Sequence, residues 1–411
     1  MSSPSETTVV VVGAGHAGAE LVSALRQKGY SGRIILIGEE TELPYHRPPL
    51  SKVYLSGEVS RESLLIRSAT AYDKLQVECW TGVQVLSIDS QGRTVSLSDG
   101  RVQAYDKLVL ATGGRARRLE APAAQRPNVH YVRTLQDIDG LKPMFTAGRR
   151  LLVIGGGYIG LEAAAVGIKS GLSVTVLEAA PRVLARVAAP EISAFYERAH
   201  RRRGVDLRTG VSVLDYLGGD RVEAVRLSDG SELALDLVVV GIGILPNDEL
   251  ARDAGLDLDN GIMVNEFAQT STPDILAVGD CANHVNAFLD RRVRIESVPS
   301  AQEQARTAAA TICGSPAPHA AVPWFWSDQF DLKLQMVGLS QGYDQLVLRG
   351  DVEAESFCAF YLKDGVVLSA DAVNRPQDFM VAKRLVASRK QVSAQALADE
   401  QFPLKTLLSD V

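Results

Sequence analysis

The chain has only four cysteines in 411 residues, Cys79, Cys281, Cys313 and Cys358, and no two of them are close in sequence. Their scatter excludes a CxxC redox pair and a cysteine-rich metal site, and leaves buried free thiols as the expected state. Positive charge is not in surplus either. Against 43 Lys and Arg stand 49 Asp and Glu, a formal net charge of -6, so no overall attraction to nucleic acid or an anionic membrane is expected. No apolar run approaches the roughly 20 residues that span a bilayer. Met1 to Thr8 is polar and lacks the basic start of a secretory signal, so a cytoplasmic location is expected. Low-complexity linkers are missing too, and the length then implies two or three domains joined compactly.

Glycine, in contrast, is plentiful and patterned. GAGHAG runs from Gly13 to Gly18 behind the apolar stretch Thr8 to Val12, and GGGYIG runs from Gly155 to Gly160 behind Leu151 to Ile154. A strand ending in such a turn lets the backbone approach a pyrophosphate, and the next helix offers its N-terminus to the phosphates. Two copies imply two dinucleotides, and the economical chemistry for two is electron transfer from a nicotinamide to a flavin.

The duplication continues downstream. Leu97-Ser98-Asp99-Gly100 matches Leu227-Ser228-Asp229-Gly230, Asp106 matches Asp236, and Gly113 matches Gly243. Asp-Gly between β-rich flanks predicts a hairpin in each half. Glu39 and Glu178 follow the second strands, 21 and 18 residues past the last fingerprint glycines, where a carboxylate can accept the hydroxyls of an adenosine ribose. At Glu178 a 2′-phosphate would meet like charge, a penalty of about 1 to 3 kcal/mol that favours NADH over NADPH. No basic residue follows it until Arg182.

Further on, Asp274 to Asp280 reads as an apolar strand ending in Gly-Asp, with a helical pattern from Ser300 to Ile312. Asp280 there suits either a ribityl or ribose hydroxyl or a helix N-cap. From about Pro323 the composition changes to Trp324-Phe325-Trp326, alternating strands, an Asp364-Gly365 hairpin and a basic helix near Ala382 to Val392. The fold expected is α/β, with two Rossmann-like dinucleotide-binding domains and a C-terminal α+β domain. The expected division is 1–115 and 246–320 for the first domain, 116–245 for the second and 321–411 for the third.

The ordered set GAGHAG, PPLSK (Pro48 to Lys52), LVLATG (Leu108 to Gly113), GGGYIGLE (Gly155 to Glu162), VGIGILPN, AVGDCA, RIESVP and PWFWSDQ resembles the ferredoxin reductases of the putidaredoxin reductase type. The likeness spans essentially the whole chain. It implies a glutathione-reductase-like plan, with FAD in the first, discontinuous domain and NADH in the second. Carried over position by position, the FAD set is Gly13, Ala14, Gly15, His16, Ala17, Gly18, Glu39, Arg47, Pro48, Lys52, Val85, Ala111, Thr112, Gly113, Arg133, Asp280 and Val298. The NADH set is Gly155, Gly157, Tyr158, Ile159, Gly160, Glu162, Glu178 and Gly243. No metal site is implied. The tail beyond Leu404 is shorter than in some relatives.

The resemblance places Lys52 beside the flavin, where positive charge would favour the reduced anionic form, and Glu162 close to the nicotinamide. The alternatives are a solvated lysine after a stiff di-proline, and an acid complementing a helix dipole. Trp324 and Trp326 lie at i and i+2 of a strand and so share a face, Trp326 being the expected flavin neighbour and Trp324 core filling. Among the scattered basic residues Arg306 and Lys405 are the candidates for docking an acidic iron-sulfur protein, whereas Arg201 to Arg203 reads as plain surface. The implied activity is NADH:ferredoxin oxidoreduction, with single electrons passed to a two-iron two-sulfur ferredoxin that feeds a haem monooxygenase or other oxygenase. An NADH oxidase or peroxidase would use a cysteine near the flavin, and Leu43 to Lys52 has none. A flavin-bound redox sensor is the alternative outside catalysis.

Overall fold

The computed structural model describes residues 7–408; most of Met1 to Thr8 and the last residues of the tail lie outside them. The chain divides into two compact units. One comprises the residues up to His46, Arg61–Arg115 and Leu245–Pro323. The other comprises Arg47–Ser60, Ala116–Ile244 and the residues from Trp324 onward.

The first unit is built on five parallel strands in the order Ile275–Ala277, Lys107–Leu110, Thr8–Val12, Arg33–Gly38 and Val77–Thr81. Their unbroken Val, Ile and Leu content fits a sheet covered on both faces. Val9, Val11, Ile34 and Leu36 pack under the helices His16–Gln27 and Val298–Ile312, while Val10, Val12, Ile35 and Ile37 meet Val85, Val95 and Leu97 on the other side.

The second unit holds a sheet of the same plan, Asp206–Thr209, Ser173–Glu178, Arg150–Ile154, Leu237–Val240 and Val129–Tyr131, again all parallel. In both sheets the fingerprint strand is central. The likeness reaches single hydrogen bonds: Asp106 takes the Thr8 amide on its carboxylate at 2.6 Å and Asp236 takes that of Arg150 at 2.8 Å. Ser98 and Ser228 accept the amides of Gln84 and Ser212 through their hydroxyls. Gly100 and Gly230 both turn their hairpins at φ +86°, a conformation glycine adopts without a Cβ penalty.

The same unit carries a five-stranded antiparallel sheet, Trp324–Gln329, Leu332–Gly338, Val366–Val373, Ser356–Lys363 and Gln345–Asp351, joined at Asp364-Gly365 as a tight hairpin with both residues at positive φ. Its helix is Pro376–Ser388, with proline in the first turn and a left-handed Arg389 ending it, so the basic helix starts and stops earlier than the sequence suggests. The Val298–Ile312 helix likewise begins two residues early, because Ser297 caps it by accepting the Ser300 amide at 3.2 Å. That removes the capping role considered for Asp280, which is followed by the strand Ala282–Asn286.

Arg201 and Arg202 are exposed, as the sequence reading has them, but Arg203 is not idle surface. Arg203, only 21% exposed at its side chain, holds Glu355 at 2.6 Å and Asp331 at 2.7 Å, and Arg202 holds Glu353. A charge run on an amphipathic helix looks solvated until the carboxylates opposite it are known.

Two histidines sit in the first unit's interior. The His284 and His319 rings meet edge to face, centroids 4.7 Å apart. Burial, reinforced by His319 and by Arg292, depresses His284 to about 3, and burial alone depresses His319 to about 4. A histidine whose folded value lies below its unfolded value near 6.5 stabilises fully above that value and loses the contribution as pH falls toward the folded one. Between pH 7 and pH 5 each such ring forfeits about 2 kcal/mol. Melting curves across that range should fall steeply, and His284→Phe should flatten the fall; an unchanged slope would show that the ring is not buried neutral.

Candidate functional site

In the first fingerprint the protein's own packing explains two of three glycines. Gly13 sits at φ +116°, and a Cβ there would lie 2.1 Å from the Ala111 carbonyl oxygen; a Cβ on Gly18 would lie 2.2 Å from that of Gly13. A Cβ on Gly15 would meet nothing within 4 Å, yet Gly15 stands at the N-cap of the His16–Gln27 helix in extended conformation and brings no side-chain cap of its own. The second fingerprint repeats this. A Cβ on Gly155, at φ +106°, would lie 2.4 Å from the Gly241 carbonyl oxygen, one on Gly160 would lie 2.1 Å from that of Gly155, and one on Gly157 would approach only the Gly241 carbonyl, at 3.9 Å. A bare backbone before an uncapped helix N-terminus is what a pyrophosphate needs, so both cradles fit a dinucleotide.

Around the first cradle lie several of the residues named from sequence. A Cβ on Gly38, just before Glu39, would press on Ala14 at 2.6 Å, and one on Gly279, just before Asp280, would reach Ala17 at 3.1 Å. Glu39 is exposed. Thr112 donates its hydroxyl to the Asn247 carbonyl at 2.6 Å, Asn247 returns its amide to Thr112, and its backbone amide bonds Gly113. Val85 opens a strand and Val298 opens a helix. Arg47, Pro48, Lys52 and Arg133 instead belong to the other unit, where the Arg47 guanidinium donates to the Arg133 carbonyl at 2.7 Å.

In the second unit Glu178 ends its strand and accepts the amides of Gly156 and Ala180, each at 2.7 Å and each on a different oxygen. A carboxylate has about four lone-pair positions, so two stay open for ribose hydroxyls. Arg182 turns its guanidinium into its own loop, donating to the carbonyls of Ala185 and Ala188 and to the Ser193 hydroxyl. Arg186, unremarked in the sequence, is exposed, with a guanidinium nitrogen 3.1 Å from where a Cβ on Gly243 would stand. Ile159 is 41% exposed beside the cradle. The Tyr158 phenol lies against Met336 Sδ at 3.0 Å and its ring against Phe325, centroids 4.8 Å apart, so its side chain serves the C-terminal sheet and only its amide faces the cradle's helix end.

Glu162 is five residues into its helix, past the first turn, so the helix-dipole explanation fails. It is 2% exposed and receives three donors: Lys52 Nζ at 2.8 Å and Ser51 Oγ at 2.5 Å on Oε2, and Ser327 Oγ at 2.6 Å on Oε1. Lys52 is therefore not a free surface lysine; its side chain is 16% exposed and also touches the Pro48 carbonyl at 3.2 Å. Pro48 and Pro49 start the tight turn Pro48–Ser51 that delivers both Ser51 and Lys52 to Glu162. Sequence reading missed both serines, for a lone serine carries no pattern.

Trp324 and Trp326 do share a strand face, centroids 5.6 Å apart, with Lys383 over Trp324 at 4.4 Å. Arg306 is exposed, but Glu20 at 2.8 Å and Glu303 at 2.6 Å offset its charge; Lys405 is exposed on the last short helix. All four cysteines are free. Among the described residues no three metal-binding side chains gather, and no helix is long and apolar enough to cross a membrane.

Comparison with known proteins matches residues 7–305 to the model of the pyridine nucleotide-disulphide oxidoreductases and residues 324–408 to that of the reductase C-terminal domain. The chain is 48% identical over 407 residues to putidaredoxin reductase of Pseudomonas putida, covering 98% of this chain and 96% of that protein. It is 41% identical to rhodocoxin reductase of Rhodococcus erythropolis, covering 98% and 94%. Among solved structures, the covalent putidaredoxin reductase–putidaredoxin complex matches with a TM-score of 0.96 at 48% identity, covering 99% of each chain. The ferredoxin reductase for the CYP199A2 system from Rhodopseudomonas palustris matches with a TM-score of 0.95 at 44% identity, covering 97% and 99%.

Proposed function

We infer, from the premise that this chain belongs to the pyridine nucleotide-disulphide oxidoreductase family and within it to the ferredoxin reductases, that it is an NAD(P)H-dependent ferredoxin reductase serving an oxygenase. The observation that carries this reading is the pair of bare cradles in a chain whose cysteines are all free. Two dinucleotides with no dithiol between them direct electrons to an external one-electron carrier, and a two-iron two-sulfur ferredoxin is that carrier. FAD, when bound, takes up two electrons as hydride from the nicotinamide and releases them singly.

The first fingerprint, with Glu39, Thr112 and Asp280, holds FAD; 1–115 and 246–320 are given to the flavin, 116–245 to the nicotinamide nucleotide and 321–411 to partner and site support. The amides at Gly157 and the Arg186 guanidinium take the nicotinamide nucleotide's pyrophosphate, and Glu178 takes its adenosine ribose. Lys52 and Glu162 form the charged pair that positions the reacting ring and sets the local field, and Trp326 shields it from water. Hydride transfer needs no general acid or base, so Glu162 moves no proton.

NADH is the preferred donor. Glu178 presents negative charge where NADPH would bring a phosphate, and Arg182 is spent on its own loop. Glu178→Gln, in which the side-chain oxygen still accepts one backbone amide, should weaken NADH somewhat and raise the NADPH to NADH ratio of kcat/KM about tenfold; an unaltered ratio would remove Glu178 from the choice.

The reading is tested by reducing the holoprotein anaerobically with NADH and mixing it with two-iron two-sulfur ferredoxins. Rapid ferredoxin reduction, slowed by salt as expected for association of opposite charges, supports it. Fast oxygen consumption that no ferredoxin accelerates would sink it.

A further inference from the structure

Behind the Lys52–Glu162 pair runs a line of buried polar groups for which hydride transfer as described has no use. Ser327 Oγ lies 2.6 Å from Glu162 Oε1, Gln329 Nε2 lies 3.1 Å from Ser327 Oγ, and His200 Nε2 lies 2.8 Å from Gln329 Oε1. Ser327, Gln329 and His200 are each fully buried. Matching periods assemble the line. Phe325, Ser327 and Gln329 share one strand face, opposite the tryptophans, and two strand residues rise about as far as four helix residues. Tyr158 and Glu162, four apart on their helix, therefore meet Phe325 and Ser327, two apart on the strand.

The direction of the hydrogen bonds follows by elimination. An amide oxygen only accepts, so His200 donates from Nε2. Burial lowers the His200 pKa to about 4, which keeps the ring neutral with that single N–H, and Nδ1 meets no partner. The Gln329 nitrogen only donates, so the Ser327 oxygen accepts and its one hydrogen is left for Glu162. Ser51 and Lys52 also donate to this carboxylate. Each hydrogen bond from His200 through Gln329 and Ser327 donates in the direction of Glu162. Apolar residues would fill the same space without the cost of burying three polar side chains; what the polar line provides is a fixed carboxylate plane.

We propose that Ser327 is a positioning residue for hydride transfer: with Gln329 and His200 behind it, its hydroxyl holds the Glu162 carboxylate in the orientation that keeps Oε2 on Lys52. This rests on the reductase reading above. Without that hydroxyl Oε1 keeps no donor among the described residues, and the buried carboxylate rotates to recover one at the expense of its contact with Lys52.

The test uses the holoenzyme and four variants, Ser327→Ala, Ser327→Thr, Gln329→Leu and His200→Phe. Anaerobic rapid mixing with NADH separates the limiting rate of flavin reduction from the apparent Kd. Ser327→Ala should slow the limiting rate about tenfold with Kd within about twofold, Ser327→Thr should restore it, and Gln329→Leu should fall between; the last carries the test where Ser327→Ala does not fold. Independently of turnover, long-range 1H–15N spectra of histidine-labelled protein should show a neutral Nε2–H tautomer for His200, assigned by its loss in His200→Phe. A wild-type rate in both Ser327→Ala and Gln329→Leu, equal losses for alanine and threonine, or an Nδ1–H tautomer would overturn the positioning role alone. A wild-type flavin that NADH does not reduce would overturn the reductase reading and this role with it.

Discussion

Gly157→Val yields a folded, yellow protein that NADH reduces poorly. The position has extended geometry, φ -80° and ψ 178°, open to any residue, and no protein atom but the Gly241 carbonyl at 3.9 Å stands near the new Cβ. Valine at an N-cap in place of glycine costs about 1 kcal/mol, a small shift in melting temperature. The loss falls on the nucleotide, because a branched side chain fills the space through which the backbone amides reach the pyrophosphate. An apparent affinity for NADH lower by about a hundredfold, with flavin content and reduction by dithionite unchanged, is the expected outcome. Gly155→Ala makes the contrast: at φ +106° its new Cβ would lie 2.4 Å from the Gly241 carbonyl oxygen, so the strand-end contact must break and the second unit should be strongly destabilised. Should Gly157→Val bind NADH normally, the cradle is not the nucleotide site.

Lys52→Met loses both rate and stability, and a second substitution separates the two. Glu162 is 2% exposed, and stripping the cation from a buried carboxylate costs about 3 kcal/mol even when neighbouring hydroxyls remain. Flavin reduction by NADH should slow about a hundredfold, and the flavin potential should fall as the positive charge is lost. In the double variant Lys52→Met with Glu162→Gln neither charge is left uncompensated, so the melting temperature should recover while the rate does not. If stability and rate recover together, the pair is structural and its chemistry lies elsewhere.

How far the sequence revealed all this depended on the range of each signal. The fingerprints, the twin Asp-Gly hairpins and the strand-end acids are local patterns with backbone reasons, and the duplicated hydrogen bonds at Asp106 and Asp236 show how literally the repeat is kept. Lys52 and Glu162 came from resemblance, and their 2.8 Å pairing across 110 positions of chain had no local sign. Ser327, Gln329 and His200 were unreadable for the same reason. A serine and a glutamine on a strand, or a histidine on an amphipathic helix, look like any solvated polar residue until the facing element is known. The helix-dipole reading of Glu162 and the cap reading of Asp280 failed because each assumed a helix start at the wrong residue.

The two parallel sheets differ in where their outermost strand comes from. The second takes Val129–Tyr131 from just upstream, so all its strands are present once Leu237–Val240 has been synthesised. The first must wait for Ile275–Ala277 to cover Lys107–Leu110. During synthesis the first sheet therefore spends more than a hundred and sixty residues of elongation with one apolar edge unpaired, the condition under which chains add strands to one another. The second parallel sheet has all its strands once Leu237–Val240 emerges and can pair on the ribosome while the first still presents an open edge.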